Sequence, residues 1–458
     1  MGDLRLLAWC GALEVGAAGE ACYPCAPPEV WGWTLSERKS PTPVTNSTPT
    51  RMHGDARPSA LADPADLPQW TAPPDAFLGV YYIETRENLH QTAEFIALEE
   101  SAGAWSGGGE ATGRYRRSVA RVVDVRELRP GAGYAAIAFP TANLPERGSP
   151  FPAVWLYLSA GPLFERPFAD VVRLADVLLP DELLRAFRGP RFGVAGTRTV
   201  LQVPATALLF GAIVKPGAGL TPAEIAARCT AAALGGVDLI KDDEKMNNPA
   251  YCPLLPRAAA VTAALRGVEE RTGRRVIYCP HVTGRPDEML AAARAAVQAG
   301  ATGLMVNVFA AGLASLQMLS EASDTAVPIY VHSGGRSALA HPQGNGIDVR
   351  VFARFVRLLG GDYLDLYALG GYLRSGGPTQ VRQVADVLRE PWGSIGSMLP
   401  TCSGGLTAQT LAPNYDVLGK DILPMAGSAI FNHPLGPAAG ASALRQAGDQ
   451  YFRAASAS

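Results

Sequence analysis

The chain has 458 residues, with 40 lysines and arginines against 42 aspartates and glutamates, and a net charge of -2. This length exceeds the usual size of one domain, so at least two domains are expected. The balanced charge excludes a strongly basic surface and argues against nucleic acid as a partner. Seven cysteines scattered along so long a chain do not make a disulfide framework, so we expect reduced thiols and a cytoplasmic protein.

Residues 1–75 are predicted to form a disordered tail. The second half of this segment is rich in Pro, Ser, Thr and Asp and has no apolar periodicity. Asp3 and Glu14 interrupt the apolar start, which argues against a signal peptide, and no segment is apolar for long enough to span a membrane. Cys22 and Cys25 form a CxxC pair without further ligands, which favours unpaired thiols over a metal site.

Residues 76–200 are predicted to form an α+β domain with an antiparallel sheet. Alternating β-branched and aromatic residues predict a strand at 77–85, and a helical pattern follows it up to Glu100. Further strands are predicted at 116–125, 134–140 and 153–160, with no long helix between the first two.

Residues 201–458 show the rhythm of a (β/α)8 barrel. Short apolar runs alternate with helical patterns rich in alanine and leucine, which makes eight strand-then-helix units. The apolar runs are 208–216, 237–241, 275–282, 303–309, 327–333, 363–369, 397–405 and 422–428. The predicted fold is therefore an α/β chain, with a C-terminal (β/α)8 barrel behind an α+β domain.

Functional side chains stand at almost every predicted strand end of the barrel, which is where barrel enzymes carry their chemistry. These residues are Lys215, Lys241, Asp243, Glu244, His281, Asn307, His332, Asp365, Ser403, Gly427 and Ser428. The set as a whole indicates an active site. Taken alone, Asn307 or His281 can equally be a structural side chain with its hydrogen bonds satisfied.

The stretch GGVDLIKDDEKMNN, at 235–248, places charged groups where one of these strands ends. Two carboxylates at a strand end suit Mg²⁺, which prefers oxygen ligands and keeps positions open for substrate. A protonated lysine has no lone pair and cannot be a ligand. Lys241 therefore either neutralises the acids as a salt bridge or reacts with CO₂ to become an anionic carbamate ligand.

This stretch closely resembles the metal-binding signature of the RuBisCO large-subunit family. Further segments resemble that family in the same chain order, namely EESAGAW at 99–105, FRGPRFGV at 187–194, AIVKPGAGLT at 212–221 and LPTCSGG at 399–405. The resemblance implies that carbamylated Lys241 binds Mg²⁺ together with Asp243 and Glu244. It also implies that Glu99 and Trp105 complete the site of a neighbouring subunit in a homodimer or larger homo-oligomer.

The resemblance also implies roles for the other strand-end residues. Lys215 matches the enolising base, and His332 and Asp365 are further catalytic candidates. The implied phosphate site consists of small-residue turns, at Ser403, Gly404, Gly405, Gly427 and Ser428. Arg336 either binds the other end of the substrate or pairs with Asp365.

Several polar positions of the family are replaced in this sequence. Gly217 and Ser333 stand for a lysine and an arginine, Tyr372 for the mobile lysine of carboxylases, Pro162 for an asparagine, and Asp365 for a phosphate-facing histidine. A carboxylate repels phosphate, so one of two phosphate sites is lost. The resemblance thus implies a RuBisCO-like protein that enolises a sugar monophosphate or sugar-acid phosphate without fixing CO₂.

The outcome of the reaction stays open at this point. Isomerisation of 5-methylthioribulose 1-phosphate, tautomerisation of a related diketo phosphate, and decarboxylation or transcarboxylation of 3-oxo-isoapionate 4-phosphate all pass through an enolate. A true ribulose-1,5-bisphosphate carboxylase and a non-catalytic metabolite-binding homologue are the alternatives. Retention of Lys215 together with the Lys241, Asp243 and Glu244 set weighs against a decayed site.

Overall fold

A computed structural model describes residues 67–106, 112–160, 163–165, 169–336, 344–372 and 377–455. Residues 1–66 of the predicted tail lie outside this part of the chain, as does Pro162. Residues 67–75, which the sequence assigns to the tail, lie against the first sheet. Trp70 packs on hydrophobic residues of that sheet and donates a hydrogen bond of 3.0 Å from Nε1 to Asp124 Oδ2. The described domain therefore begins before residue 76.

The amino-terminal part of the chain contains four strands and five helices among the described residues. They are β1 (Ala76–Glu84), α1 (Leu89–Glu99), α2 (Gly113–Ser118), β2 (Arg121–Arg129), β3 (Ala132–Pro140), α3 (Phe151–Ser159), β4 (Val171–Leu178), α4 (Asp181–Leu184) and α5 (Gly193–Leu201), with a 3-10 turn at Thr141–Asn143. A short strand from later in the chain, β10 (Gly346–Ile347), completes a sheet of order β10-β4-β1-β3-β2. All pairs are antiparallel except β10 with β4, which is parallel.

The predicted strand at 153–160 was wrong, because this segment is helix α3. Phe151, Val154 and Leu158 are its buried residues, and their spacing places them on one helical face. A continuous apolar run is compatible with a strand or a helix, and only packing decides between them. The strand that lies between β10 and β1 in this sheet is β4, which the sequence reading did not identify. The strand predicted from 116 begins at Arg121, after α2.

The remaining elements form the predicted barrel, which is confirmed. Its strands are β5 (Gly211–Ile213), β6 (Leu239–Lys241), β7 (Ile277–Cys279), β8 (Leu304–Asn307), β9 (Ile329–His332), β11 (Tyr363–Tyr367), β12 (Leu399–Ser403) and β13 (Leu423–Ala426). Its helices are α6 (Pro222–Leu234), α7 (Leu254–Thr272), α8 (Pro286–Gln298), α9 (Val308–Ala311), α10 (Leu313–Glu321), α11 (Val349–Leu358), α12 (Gly377–Arg389), α13 (Leu411–Leu418), α14 (Ser428–Phe431) and α15 (Pro437–Ala455), with a 3-10 turn at Ser323–Thr325.

The eight strands lie in the order β7-β6-β5-β13-β12-β11-β9-β8, and every pair is parallel. A parallel bridge between His281 and Met305 joins the two ends of this order and closes the barrel. Apolar side chains fill the interior below the strand ends, among them Leu239, Met305 and Tyr330. The interior of the barrel is therefore a packed core.

A buried carboxylate ties the segment before the barrel to two barrel strands. Asp362 Oδ1 accepts hydrogen bonds from the backbone N–H groups of Phe192 (2.6 Å) and Gly193 (2.9 Å), and Oδ2 accepts one from Ile329 (2.9 Å). The domain boundary predicted at residue 200 falls within α5 and stays a prediction. In the described part of the chain, no helix combines the length and hydropathy that a membrane crossing requires.

Candidate active site

The carboxyl ends of the barrel strands surround a cavity of about 770 Å³. The predicted site residues that line it are Lys215, Lys241, Glu244, His332, Asp365, Ser403, Gly404, Gly405, Gly427 and Ser428. These residues come from six different strands, and only the closure of the barrel brings them together. The cavity holds both cationic and anionic groups, with Lys215 and Lys241 as the cations among its described lining residues.

Lys215 and Asp243 form an ion pair at the edge of this cavity. Lys215 follows β5, and its side chain lies on the same side as that of Ile213, which also lines the cavity. Burial lowers the pKa of Lys215, but the hydrogen bond that Lys215 donates to Asp243 and the charges of Asp243 and Glu244 outweigh this effect, so the pKa is raised. The lowered pKa expected for a catalytic lysine is therefore not present while Asp243 is its partner.

Lys241 is the last residue of β6 and is completely buried. Among the described residues, its ammonium donates to the backbone carbonyl oxygen of Asp242 at 3.2 Å and lies 5.4 Å from the centre of the Tyr330 ring. Burial lowers the pKa of Lys241, and the charges of Asp365, Glu244 and Asp243 only partly oppose this effect. Burial thus favours the neutral amine, which is the form that can react with CO₂.

Asp242 points away from the cavity, as strand alternation requires. Its carboxylate accepts hydrogen bonds from Arg257 Nε (2.9 Å), the Tyr278 hydroxyl (2.8 Å) and the backbone N–H of His281 (3.0 Å). The Asp242 and Arg257 side chains are both completely buried. This network fixes the end of β6, and with it the positions of Lys241 and Asp243.

His332 lies beside Glu244, with 3.6 Å between His332 Nε2 and Glu244 Oε2. Its other ring nitrogen, Nδ1, accepts a hydrogen bond from the backbone N–H of Gly334 at 3.2 Å. Burial, followed by the charge of Lys241, lowers the pKa of His332 to about 3. The ring is therefore neutral at pH 7, with its proton on Nε2 and directed toward the cavity.

Asn307 and His281 stand outside the cavity lining. Asn307 Oδ1 accepts from the backbone N–H groups of Phe309 (2.9 Å) and Ala310 (3.1 Å) at the start of α9, and Nδ2 approaches His332 Nδ1 at 3.3 Å. His281 is buried and bonds through Nε2 to Thr283 Oγ1 at 2.6 Å.

Asp365 lines the cavity beside the glycine-rich turn after β12. Its Oδ2 accepts a hydrogen bond of 3.0 Å from Ser403 Oγ, whereas Oδ1 is buried and has no partner among the described residues. Burial raises the pKa of Asp365, while the charge of Lys241, the Ser403 hydrogen bond and the charge of Arg336 oppose the shift. Ser333 donates to the backbone carbonyl oxygen of Asp365 at 2.7 Å and so supports the same strand end.

Arg336 is buried next to this wall without entering the cavity. Its guanidinium lies over the ring of Tyr367, 4.4 Å from the ring centre, and the structure gives no ion pair with Asp365 within 4.0 Å among the described residues. Tyr367 lines the cavity and was missed in the sequence reading. It stands two residues after Asp365 on the same strand, so strand alternation was a usable signal for it.

Glycines form the part of the cavity wall contributed by β12 and β13. Gly404, Gly405 and Gly427 leave the backbone directly accessible to a ligand. A Cβ on Gly405 would lie 2.7 Å from Tyr372 Cδ1, and one on Gly427 would lie 3.2 Å from Lys215 Cγ. Tyr372 can therefore lie close to Gly405, and Lys215 close to Gly427, because neither glycine has a side chain.

Glu99 and Trp105 are not at this cavity. Glu99 ends α1, and Trp105 follows it with 39% of its surface exposed and its ring centre 5.0 Å from that of Tyr115. They remain candidates for a neighbouring subunit's site. No group of three His, Cys, Asp or Glu side chains in the described ranges is close enough to hold a metal ion.

Comparison with known proteins agrees with this architecture. Residues 193–457 match the family model for the ribulose bisphosphate carboxylase large chain, catalytic domain. A ribulose bisphosphate carboxylase-like protein of Allochromatium vinosum is 33% identical, over 80% of this chain and 83% of its own. The octameric ribulose-1,5-bisphosphate carboxylase/oxygenase of Pyrococcus horikoshii aligns with a TM-score of 0.78 at 28% identity, over 84% of this chain and 90% of its own. A RuBisCO-like protein from Burkholderia fungorum aligns with a TM-score of 0.73 at 30% identity, over 81% and 93%.

The fold and cavity thus define a (β/α)8-barrel protein whose strand ends gather lysines and carboxylates around one cavity. The chain belongs to the RuBisCO large-chain family, whose catalytic-domain model covers more than half of it. The resemblance seen in the sequence is confirmed by these matches.

Proposed function

We propose that this protein is a Mg²⁺-dependent enzyme that removes a proton from the carbon beside a ketone, in a sugar monophosphate or sugar-acid phosphate, without fixing CO₂. The observation that carries the proposal is the position of Lys215, whose ammonium contacts Asp243 on the same cavity that Lys241 and Glu244 line. The proposed base, Lys215, and the proposed metal ligands Lys241 and Glu244 thus line one cavity, which is large enough for a phosphorylated sugar.

Asp243, Glu244 and Lys241 are the residues that would hold Mg²⁺. Asp243 and Glu244 would supply two carboxylate ligands, and a carbamate on Lys241 would supply a third anionic oxygen ligand. Lys241 supports this role because its amine is buried beside the carboxylates and its pKa is lowered. The amine nitrogen would bond to the carbon of CO₂ and release a proton, leaving an anionic carbamate.

When bound, Mg²⁺ supplies Lewis-acid polarisation of the substrate's carbonyl and hydroxyl oxygens. Asp243 would then exchange its present partner, the Lys215 ammonium, for the metal ion. Without that partner and beside the positive charge of a bound metal ion, Lys215 would release its ammonium proton to solvent. The neutral amine would then accept the carbon-bound proton through its lone pair. His332 would donate its Nε2 hydrogen to a substrate oxygen, since its Nδ1 already accepts from Gly334.

Two features support chemistry without CO₂ fixation. The positions that resemble carboxylase cations carry Gly217, Ser333 and Tyr372, so little positive charge remains to hold a new carboxylate. One phosphate would bind at the backbone of the glycine turns, where Gly404, Gly405 and Gly427 line the cavity. Whether the resulting enolate is reprotonated or forms by loss of CO₂ depends on the substrate.

We further propose a homodimer or larger homo-oligomer with shared sites. Glu99 and Trp105 lie away from this chain's own cavity, and Trp105 is partly exposed and available to a neighbour. The Pyrococcus horikoshii relative is octameric. We also expect a cytosolic enzyme, because the four described cysteines are unpaired thiols.

Solvent exchange tests the proposed function. With Mg²⁺ and bicarbonate present, the wild type should wash deuterium from D₂O into the α-carbon of ketose monophosphates. Lys215→Met should bind the same ligands and exchange at least 100-fold more slowly, because general-base catalysis contributes about 10²–10⁴-fold. Lys241→Ala should lose the metal-dependent part of the exchange. Exchange that survives in Lys215→Met, or efficient incorporation of labelled CO₂ into ribulose 1,5-bisphosphate, would contradict the proposal.

A further inference from the structure

The cavity wall formed by the ends of β9 and β11 differs from the rest of the site. We call it the distal wall, and its described lining residues are His332, Ser333, Gly334, Asp365 and Tyr367. Its strands stand opposite β5 and β6 in the barrel order, beyond the glycine turns that follow β12 and β13, and its His332 reaches to 3.6 Å from Glu244. No lysine or arginine lines it among the described residues.

Asp365 is the dominant group on the distal wall. It is more than nine-tenths buried, and its Oδ1 has no hydrogen-bond partner among the described residues. Its Oδ2 already accepts from Ser403 at 3.0 Å, which holds the carboxylate in place. A buried carboxylate oxygen without a donor is costly, so a donor from a ligand in the cavity would stabilise the Asp365 carboxylate.

The neighbouring arginine does not provide that donor. Arg336 lies over the Tyr367 ring and forms no ion pair with Asp365 within 4.0 Å in the described part of the chain. Its charge therefore stays behind the aromatic ring and outside the cavity lining. Tyr367 also lines the cavity, and the apolar part of its ring suits the carbon skeleton of a sugar.

These contacts restrict what the far end of the substrate can be. A phosphate dianion has no hydrogen to donate and would be repelled by Asp365. An apolar end, such as a methyl or thioether group, would give the Asp365 carboxylate no further hydrogen-bond donor. A hydroxyl group would supply such a donor to the carboxylate, beside Tyr367 on the same wall.

We propose that Asp365 determines specificity for substrates that end in a free hydroxyl group opposite their single phosphate. This inference rests on the proposed function for the phosphate at the glycine turns and adds the chemical class of the other end. It favours hydroxyl-bearing sugar phosphates and sugar-acid phosphates over methylthio sugar phosphates among the candidate substrates.

Binding of three analogues that cannot enolise tests the inference. They are D-ribitol 5-phosphate with a hydroxyl end, 1-deoxy-D-ribitol 5-phosphate with a methyl end, and D-ribitol 1,5-bisphosphate. Calorimetry with Mg²⁺ and bicarbonate should show the hydroxyl-ended compound binding at least about tenfold more tightly than either of the others, since an unpaired buried polar group costs about 1–3 kcal/mol. Tighter binding of the bisphosphate, or equal binding of the methyl-ended compound, would overturn the inference.

A substitution at Asp365 tests whether this residue causes the expected preference for the hydroxyl-ended compound. Asp365→Asn should bind the bisphosphate at least fivefold more tightly than the wild type does, because the repelling charge is gone. Asp287→Asn, at an exposed site on α8, is the matched control and should bind all three compounds like the wild type. An Asp365→Asn protein with wild-type preferences would overturn the inference, and the wild-type comparison decides it even if this variant does not fold.

The test also separates this inference from the proposed function. If inorganic phosphate and all three analogues fail to bind, the phosphate site of the proposed function fails and the inference fails with it. If deuterium exchange occurs with a monophosphate but the bisphosphate analogue binds more tightly, only the role of Asp365 is wrong.

Discussion

Gly217 lies directly against the carboxylate of Asp243. A Cβ at this position would be 2.5 Å from Asp243 Oδ1, closer than side-chain carbons approach other atoms. The sequence resemblance assigns a lysine of carboxylases to this position. Glycine has neither a side chain nor a charge there. The absence of a side chain at 217 allows the observed pair between Asp243 and Lys215.

Gly217→Ala should displace the Asp243 carboxylate. We expect deuterium exchange to slow by more than tenfold, because misplacing a catalytic group by about 1 Å can cost about 10²-fold. Thermal stabilisation by Mg²⁺ should shrink as well, which differential scanning fluorimetry would measure. Gly267→Ala is the control, because a Cβ there has no atom within 4 Å. Wild-type exchange and a wild-type Mg²⁺ response in Gly217→Ala would show that this contact is not important.

At the scale of elements, α7 and β6 are joined by the ion pair between Arg257 and Asp242. Arg257 also donates to the backbone carbonyl oxygens of Cys252 (2.6 Å) and Met246 (3.2 Å), so it anchors the loop that follows the proposed metal ligands. Both partners are completely buried, and removal of one leaves the other without compensation.

Arg257→Met should therefore destabilise the protein strongly, although its side-chain size is similar. We expect the free energy of unfolding to fall by about 3–5 kcal/mol, the usual cost of leaving one buried charge unpaired. Urea denaturation measures this change. Arg294→Met removes an exposed partner of Asp324 and should cost less than about 1 kcal/mol. Similar losses in the two variants would mean that the buried pair has no special role.

Two buried histidines, His281 and His332, are expected to reduce the stability of the folded protein in acid, because burial lowers the pKa of both. Burial, followed by the charge of Lys241, lowers the pKa of His281 from 6.5 to about 3. Between these two pH values the unfolded chain binds a proton that the folded chain does not. The stability contribution of His281 is therefore fully present above pH 6.5 and is lost as the pH falls toward 3.

His281→Gln should weaken this dependence. Between about pH 6 and pH 4.5, the free energy of unfolding of the wild type should fall more steeply than that of the variant, by up to about 1.4 kcal/mol per pH unit. Urea denaturation at several pH values gives both slopes. His90→Gln replaces an exposed histidine and should keep the wild-type slope. Identical slopes in the wild type and His281→Gln would contradict this assignment.

The proposed sharing of sites between subunits is also a property of the whole molecule. Lys215→Met removes the base from the barrel, and Glu99→Gln changes the segment expected to reach the neighbour. Mixed and reassociated, the two inactive proteins should recover about one quarter of wild-type exchange, because half of the dimers would hold one intact site. Light scattering would confirm the dimer. An active monomer, or no recovery in proven heterodimers, would show that each site lies within one chain.

The barrel, and the order of its site residues along the chain, could be predicted from the sequence. Strands of a parallel barrel are buried on both faces, so runs such as LLFGAIV and VPIYV are continuously apolar, and their boundaries are visible without a structure. Because such strands all end at one rim, Lys215, Lys241 and His332 can be assigned to one cavity from their positions in the chain.

Features that depend on contacts between distant segments could be seen only in the tertiary structure. The apolar run that became α3 is compatible with a helix or a strand until its neighbours are present, and β10 joins a sheet formed by residues far earlier in the chain. The pairing of Lys215 with Asp243, and the stacking of Arg336 on Tyr367 in place of an ion pair with Asp365, depend on which strands become neighbours. Sequence patterns report which face of an element is buried, whereas partner choice among charged groups is set by distances that exist only after the barrel has closed.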